Sequence, residues 1–145
     1  MRISNLSELS TFCEDFLKQN PKGGIFALVG ELGAGKTTFV RTLIEKISQL
    51  DGKKSPRVTS PTYVYHQRYD FSRPVEHFDL YRLEKATEDD LMSIGYYEAY
   101  DRARNSLGFL FVEWPEKSAQ VDFLRLTHTL SFKIESETER IIEFH

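Results

Sequence analysis

The segment Gly30-Glu31-Leu32-Gly33-Ala34-Gly35-Lys36-Thr37 constrains this chain more than any other. It matches G-x-x-x-x-G-K-[ST] at every fixed position, the pattern of a loop whose backbone cradles phosphates. Average residue usage makes a chance match in a chain this long on the order of one in two hundred. Such a loop works only between a buried strand and a helix, and both flanks fit. Ile25-Phe26-Ala27-Leu28-Val29 is a short apolar run bounded by glycines, the mark of a buried strand. Phe39, Val40, Leu43, Ile44, Ile47 and Leu50 mark one face of a helix behind the loop.

Each fixed position has a physical reason. Glycines at 33 and 35 admit backbone shapes that side chains forbid. Across Gly33, Ala34 and Gly35 the N–H groups can then point inward as an anion-binding nest. The following helix adds unpaired N–H groups and its positive dipole end. Lys36 reaches the β- and γ-phosphates as a flexible point charge. Thr37 puts its hydroxyl on a magnesium ion. Thr38, one step into the helix, either contacts the α-phosphate or is a plain helix-surface threonine. This chemistry also calls for an acid at the end of a buried strand, to hold the metal or its waters. Two candidates fit: Asp79, ending V-E-H-F-D, and Glu113, ending F-L-F-V-E. For either one the alternative is a strand-end carboxylate that meets solvent or caps a helix.

The rest of the chain supplies an α/β frame. Leu6, Leu9, Cys13, Phe16 and Leu17 recur at helical spacing, with Asn5 and Glu8 placed as a capping box. Cys13 reads there as a small core residue. Residues 51–61 read as a loop, Thr62 to Asp70 and Val75 to Asp79 as strands, and 86–105 as helix broken near Gly95. Phe109 to Val112 reads as a second buried strand. Leu130, Phe132 and Ile134 alternate and, with Ile142 and Phe144, predict a closing hairpin.

At 145 residues the length predicts one domain over 1–145. A formal net charge of -3 argues against nucleic-acid binding by the whole surface. Lys53, Lys54 and Arg57 read as a solvated loop rather than a basic patch. A single cysteine excludes an internal disulfide, and no Cys/His spacing suits zinc. With a polar start and no long apolar run, the chain is expected to be cytoplasmic and free of membrane.

With these pieces assembled, the chain resembles the TsaE family, the ATPase component of bacterial tRNA threonylcarbamoyladenosine biosynthesis. The stretches that carry the resemblance are G-E-L-G-A-G-K-T-T-F-V-R at 30–41, S-P-T-Y at 60–63, H-F-D-L-Y-R-L at 77–83, I-G-Y-Y-E at 94–98 and V-E-W-P-E at 112–116. The loop alone is shared by many families, but its combination with H-x-D-L-Y-R and E-W-P is specific. The resemblance implies a single P-loop NTPase domain with a mixed central sheet flanked by helices, binding ATP and Mg²⁺. It implies that Thr37 and Glu113 lie at magnesium and that Lys36 and Asp79 serve hydrolysis. Ser60, Pro61 and Thr62 match a segment resembling a GTPase switch. Glu8 and the turn around Thr138 and Glu139 match positions that close over the base. The implied partners are TsaB and TsaD, whose complex ATP hydrolysis would reset between turnovers, with tRNA engaged only indirectly.

Two rivals share the loop. A small-molecule kinase would use lid arginines, which Arg102 and Arg104 imitate, and a nucleotide-binding switch would bind without turnover. No N-K-x-D or T-K-x-D segment favours guanine. Lys36→Ala removes a charged phosphate contact of roughly 1.5–3 kcal/mol, so ATP binding by calorimetry should weaken at least about tenfold. Unchanged affinity would sink the loop assignment.

Overall fold

The computed structural model describes residues 1–59 and 64–145. Its strands are β1 (Arg2–Ile3), β2 (Gly24–Val29), β3 (His66–Tyr69), β4 (Val75–Asp79), β5 (Phe109–Glu113), β6 (His128–Ile134) and β7 (Arg140–Phe144). The helices are α1 (Leu6–Gln19), α2 (Lys36–Leu50), α3 (Glu88–Ser93) and α4 (Tyr96–Arg104). The strands form one mixed sheet in the order β1-β7-β6-β2-β5-β4-β3. At its centre β6, β2, β5 and β4 run parallel; β3, β7 and β1 are antiparallel additions at the two edges.

β2 is apolar along its whole length and β5 up to its closing Glu113, because helices cover both of their faces, while β4 and β6 mix in polar residues. Period-two alternation sorts their side chains. Phe26, Leu28, Phe109, Phe111, Leu130 and Phe132 face α1 and α2, joined there by Phe16, Phe39 and Val40. Ile25, Phe78, Leu110 and Val112 face α3 and α4, where Tyr96, Ala99 and Ala103 meet them. The first layer is aromatic: Phe16 lies 5.1 Å from Phe26 and 5.4 Å from Phe39, and Phe39 lies 5.6 Å from Phe111 between ring centroids. Burying each such side chain contributes about 1.5–3 kcal/mol, so this layer pins α2, and with it the loop, to the sheet.

Local signals at the helix ends act as expected, with one change. The Asn5 side chain accepts from the Glu8 N–H at 2.9 Å, while the Glu8 carboxylate reaches past Asn5 to the Ser4 N–H at 2.7 Å. Gly95, at φ 80, separates α3 from α4. Cys13 is fully buried, and burial pushes its thiol up to about 12, which fits a core residue rather than a reactive one.

Several expectations need correction. Of the strand expected from Thr62 to Asp70, Thr62 and Tyr63 lie outside the described residues; among the rest β3 covers His66–Tyr69, and Tyr65 before it sits at φ 64 in the left-handed region. Residues 60–63, with the expected switch positions Ser60, Pro61 and Thr62, lie outside the described residues. Leu50, assigned to the buried helix face, is exposed at the last position of α2. The expected hairpin of β6 and β7 is present, but β7 also pairs with β1, a two-residue strand too short to show periodicity.

Candidate functional site

The three inner strands β2, β5 and β4 are level at their carboxyl ends. Leu28 pairs with Glu113, and Glu113 with Asp79, in one row across the sheet. The loop leaves β2 immediately beyond that row. Gly33 takes φ 80 and Gly35 φ 104, so the chain turns through the left-handed region that glycine enters freely. Gly35 is the residue before α2, and no side chain caps the helix. The N-terminal amides of α2 are thus presented at the mouth of the loop, the arrangement that favours anions.

Lys36 folds back over this row. Its Nζ donates to the Gly30 carbonyl at 2.5 Å, lies 4.0 Å from Glu113 Oε1, and sits 4.1 Å from the ring centroid of Trp114. Burial lowers its pKa from the ordinary lysine value, opposed by the charges of Glu113, Asp79 and Glu116. Thr37 Oγ1 donates to Glu113 Oε2 at 3.5 Å. On its other side the same carboxylate oxygen meets His77 Nε2 at 2.5 Å. Asp79 Oδ1 accepts from the Tyr81 N–H at 2.9 Å, and the Asp79 N–H donates to the Tyr65 carbonyl. Both acids are buried, at 2% exposure for Asp79 and 3% for Glu113. Neither is a strand-end carboxylate facing solvent.

Two hollows flank the loop. One, of about 330 Å³, brings Gly33, Gly35, Lys36, Thr37 and Thr38 together with Asp79, Tyr81, Glu113 and Trp114. The other, of about 250 Å³, lies between the start of α1 and the β6–β7 turn, and shares Gly33, Gly35 and Thr38 with the first. Ala34 lines only the second, beside Asn5, Leu6, Thr138 and Arg140. Glu8 lies next to this second hollow but does not line it, because its carboxylate is turned to the Ser4 N–H. Glu139 is likewise turned away, toward Arg2 at 3.0 Å.

The arginines divide clearly. Arg102 donates to Glu76 through Nε at 3.0 Å and Nη2 at 2.5 Å, and Arg104 lies over Tyr100, so both belong to α4 and its surroundings. The lid that a kinase would build from them is not there. Arg41 and Arg82 are exposed and line neither hollow. Arg140, which sequence reasoning missed, donates to the Gly33 carbonyl at 3.3 Å and to the Ser136 and Glu139 carbonyls. Nothing around Arg140 in the sequence signals this. His77, Tyr81 and Trp114 did have a signal, standing inside H-F-D-L-Y-R and V-E-W-P, but no role followed from it.

The donor set fits a magnesium ion. Among the described residues no group of three or more His, Cys, Asp and Glu forms a protein cage for a metal. Instead a hydroxyl and two buried carboxylates stand together, an all-oxygen set that suits a hard cation completing its shell with water and phosphate. Thr37 and Glu113 are the residues that would hold it. No helix among the described residues is long and apolar enough to cross a membrane.

A parallel strand turned by glycines onto a bare helix N-terminus, with acids ending the neighbouring strands, defines a P-loop α/β protein. Within that class the chain belongs to the TsaE family: residues 3–142 match the model of threonylcarbamoyl adenosine biosynthesis protein TsaE. Relatives named tRNA threonylcarbamoyladenosine biosynthesis protein TsaE agree. The Synechocystis protein is 32% identical over 82% of this chain and 71% of its own length. The Haemophilus influenzae protein is 35% identical over 73% and 61% respectively. The Borreliella burgdorferi protein is 27% identical over 100% and 98%. In fold the chain resembles the crystal structure of YdiB from Bacillus subtilis, with a TM-score of 0.64 at 24% identity, covering 99% of this chain and 82% of that one.

Because Lys36 Nζ rests over the only tryptophan, the indole should report on it directly. In the ligand-free chain, Lys36→Ala should change the emission of Trp114 while the circular dichroism spectrum stays as it was. Unaltered Trp114 emission would contradict the stacked arrangement.

Proposed function

We propose that this chain binds magnesium ATP between the two hollows and hydrolyses it in support of threonylcarbamoyladenosine formation on tRNA. The observation that carries this reading is the meeting of Lys36, Thr37, Asp79 and Glu113 in one hollow at the carboxyl edge of the sheet. The family supports the pathway, and the chemistry of the hollow suits a nucleoside triphosphate.

In this reading the loop amides and Lys36 bind the β- and γ-phosphates, and Lys36 exchanges the Gly30 carbonyl for phosphate oxygen. Thr38, which lines both hollows, marks the α-phosphate between them. The nucleoside extends toward Asn5, Leu6 and Thr138. Thr37 and Glu113 hold the magnesium ion, whose charge would offset that of the phosphoryl oxygens. Asp79, held by the Tyr81 N–H, is the acid left to orient a water.

No arginine is among the residues that line the Lys36 hollow, and two of those that do, Leu32 and Tyr81, are exposed. Hydrolysis is therefore slow in the isolated chain. The resemblance implies TsaB and TsaD as the partners that complete the site, with the chain acting as a single domain in the cytoplasm. The kinase alternative loses its main support with the engagement of Arg102 by Glu76.

A magnesium titration of nucleotide binding separates the two acids. Glu113→Gln removes a charged metal ligand of roughly 1.5–3 kcal/mol, so the magnesium needed should rise by about ten- to a hundredfold. Asp79→Asn should leave that midpoint nearly unchanged while slowing turnover. The reverse pattern would exchange their roles.

A further inference from the structure

His77 lies in the middle of β4, on the same face as Asp79 and fully buried. On its inner side it meets an aromatic row, since it pairs with Phe111, and Phe111 with Phe26, with Gln67 and His128 at the two ends of that row. A polar ring in an aromatic row costs stability unless its polar atoms are used. One is used: Nε2 meets Glu113 Oε2 at 2.5 Å. The other, Nδ1, is buried with no hydrogen-bond partner among the described residues. His77 lines neither hollow. It stands behind Glu113, where substrate does not reach.

These facts fix the direction of the bond. A carboxylate oxygen can only accept, so Nε2 carries the proton and donates it. The unpartnered Nδ1 is then a bare acceptor. Its alternative, a buried N–H with nothing to donate to, is the rarer kind of orphan in folded proteins.

We propose that His77 is the positioning residue for Glu113: its Nε2–H ties down one carboxylate oxygen from the core side and fixes the rotamer that presents the other toward Lys36 and the hollow. The inference rests on the reading of Glu113 as the magnesium-side acid. Metal sites depend on such outer partners, whose loss typically costs ten- to a hundredfold in metal affinity. The geometry also says which replacement keeps the function. The amide nitrogen of a glutamine can stand where Nε2 stands, whereas an asparagine reaches only the Nδ1 position, short of Glu113.

Two measurements on the full chain test this. The first is the long-range nitrogen-15 correlation spectrum of the histidines at neutral pH, with His77 identified by its loss in His77→Gln. It should show His77 protonated at Nε2 and bare at Nδ1; an Nδ1–H tautomer would overturn the proposal. The second is the magnesium midpoint for nucleotide binding, read by calorimetry beside a urea melt of each variant. His77→Asn and His77→Leu should raise the midpoint about tenfold with metal-free nucleotide binding little changed, and His77→Gln should restore it. Equal midpoints for glutamine and asparagine variants of equal stability would overturn the positioning role. Failure of the unaltered chain to bind nucleotide would overturn the functional reading instead, and the tautomer would still decide the hydrogen bond.

Discussion

The site depends on the parallel register of β2, β5 and β4. That register aligns three rows across the sheet: Gly24, Phe109 and Val75; Phe26, Phe111 and His77; Leu28, Glu113 and Asp79. The first two rows are covered by α1 and α2, and their burial holds the strands against sliding. A shift of one residue would turn every side chain to the opposite face, sending both acids among the residues that pack on α3 and α4. The loop is tied to the same frame, because Gly30 follows β2 directly and Phe39 of α2 packs on Phe111. Open α/β sheets place ligands beyond the carboxyl ends of their strands for this reason: the frame is rigid and the edge is free.

Charge is concentrated where the frame ends. Asp79, Glu113 and Lys36 are all buried within one small hollow: Lys36 pairs with Glu113 and donates to the Gly30 carbonyl, Glu113 also accepts from Thr37 and meets His77, and Asp79 accepts from the Tyr81 N–H. Elsewhere a third buried acid, Glu76, points to the opposite face of the sheet, where burial raises its carboxyl but His66 and Arg102 together hold it below the usual range. That group is closed on itself, with His66 also stacked on Phe78 at 4.4 Å. The two faces of β4 therefore carry different chemistry: a structural ion pair on one, and a site open to ligand on the other.

Much of this was legible in the sequence. The loop announces itself because its glycines and lysine are fixed by phosphate geometry, not by packing. The run at 109–113 is readable as a strand because burial on both faces makes it apolar, so the acid ending it stands out; the run at 75–79, with Glu76 and His77 inside it, is marked less clearly. The edges were harder. β1 has two residues and no period, and β3 begins only after Tyr65, whose left-handed backbone the alternation of aromatic and polar residues does not reveal. His77 gave no local sign of its role, since a histidine within V-E-H-F-D reads equally as a core ring. Arg140 enters the loop's surroundings only through the β6–β7 turn, a contact 107 residues distant in sequence.

As proposed above, this chain works as a magnesium-dependent ATPase whose site is completed when a partner docks. Phosphate release under steady state, measured with and without purified TsaB and TsaD, tests that claim most directly. The account predicts slow turnover alone and an acceleration of an order of magnitude or more with both partners, against the ~10³–10⁵ that a positioned arginine can contribute. Rapid turnover by the isolated chain, unchanged by either partner, would contradict it.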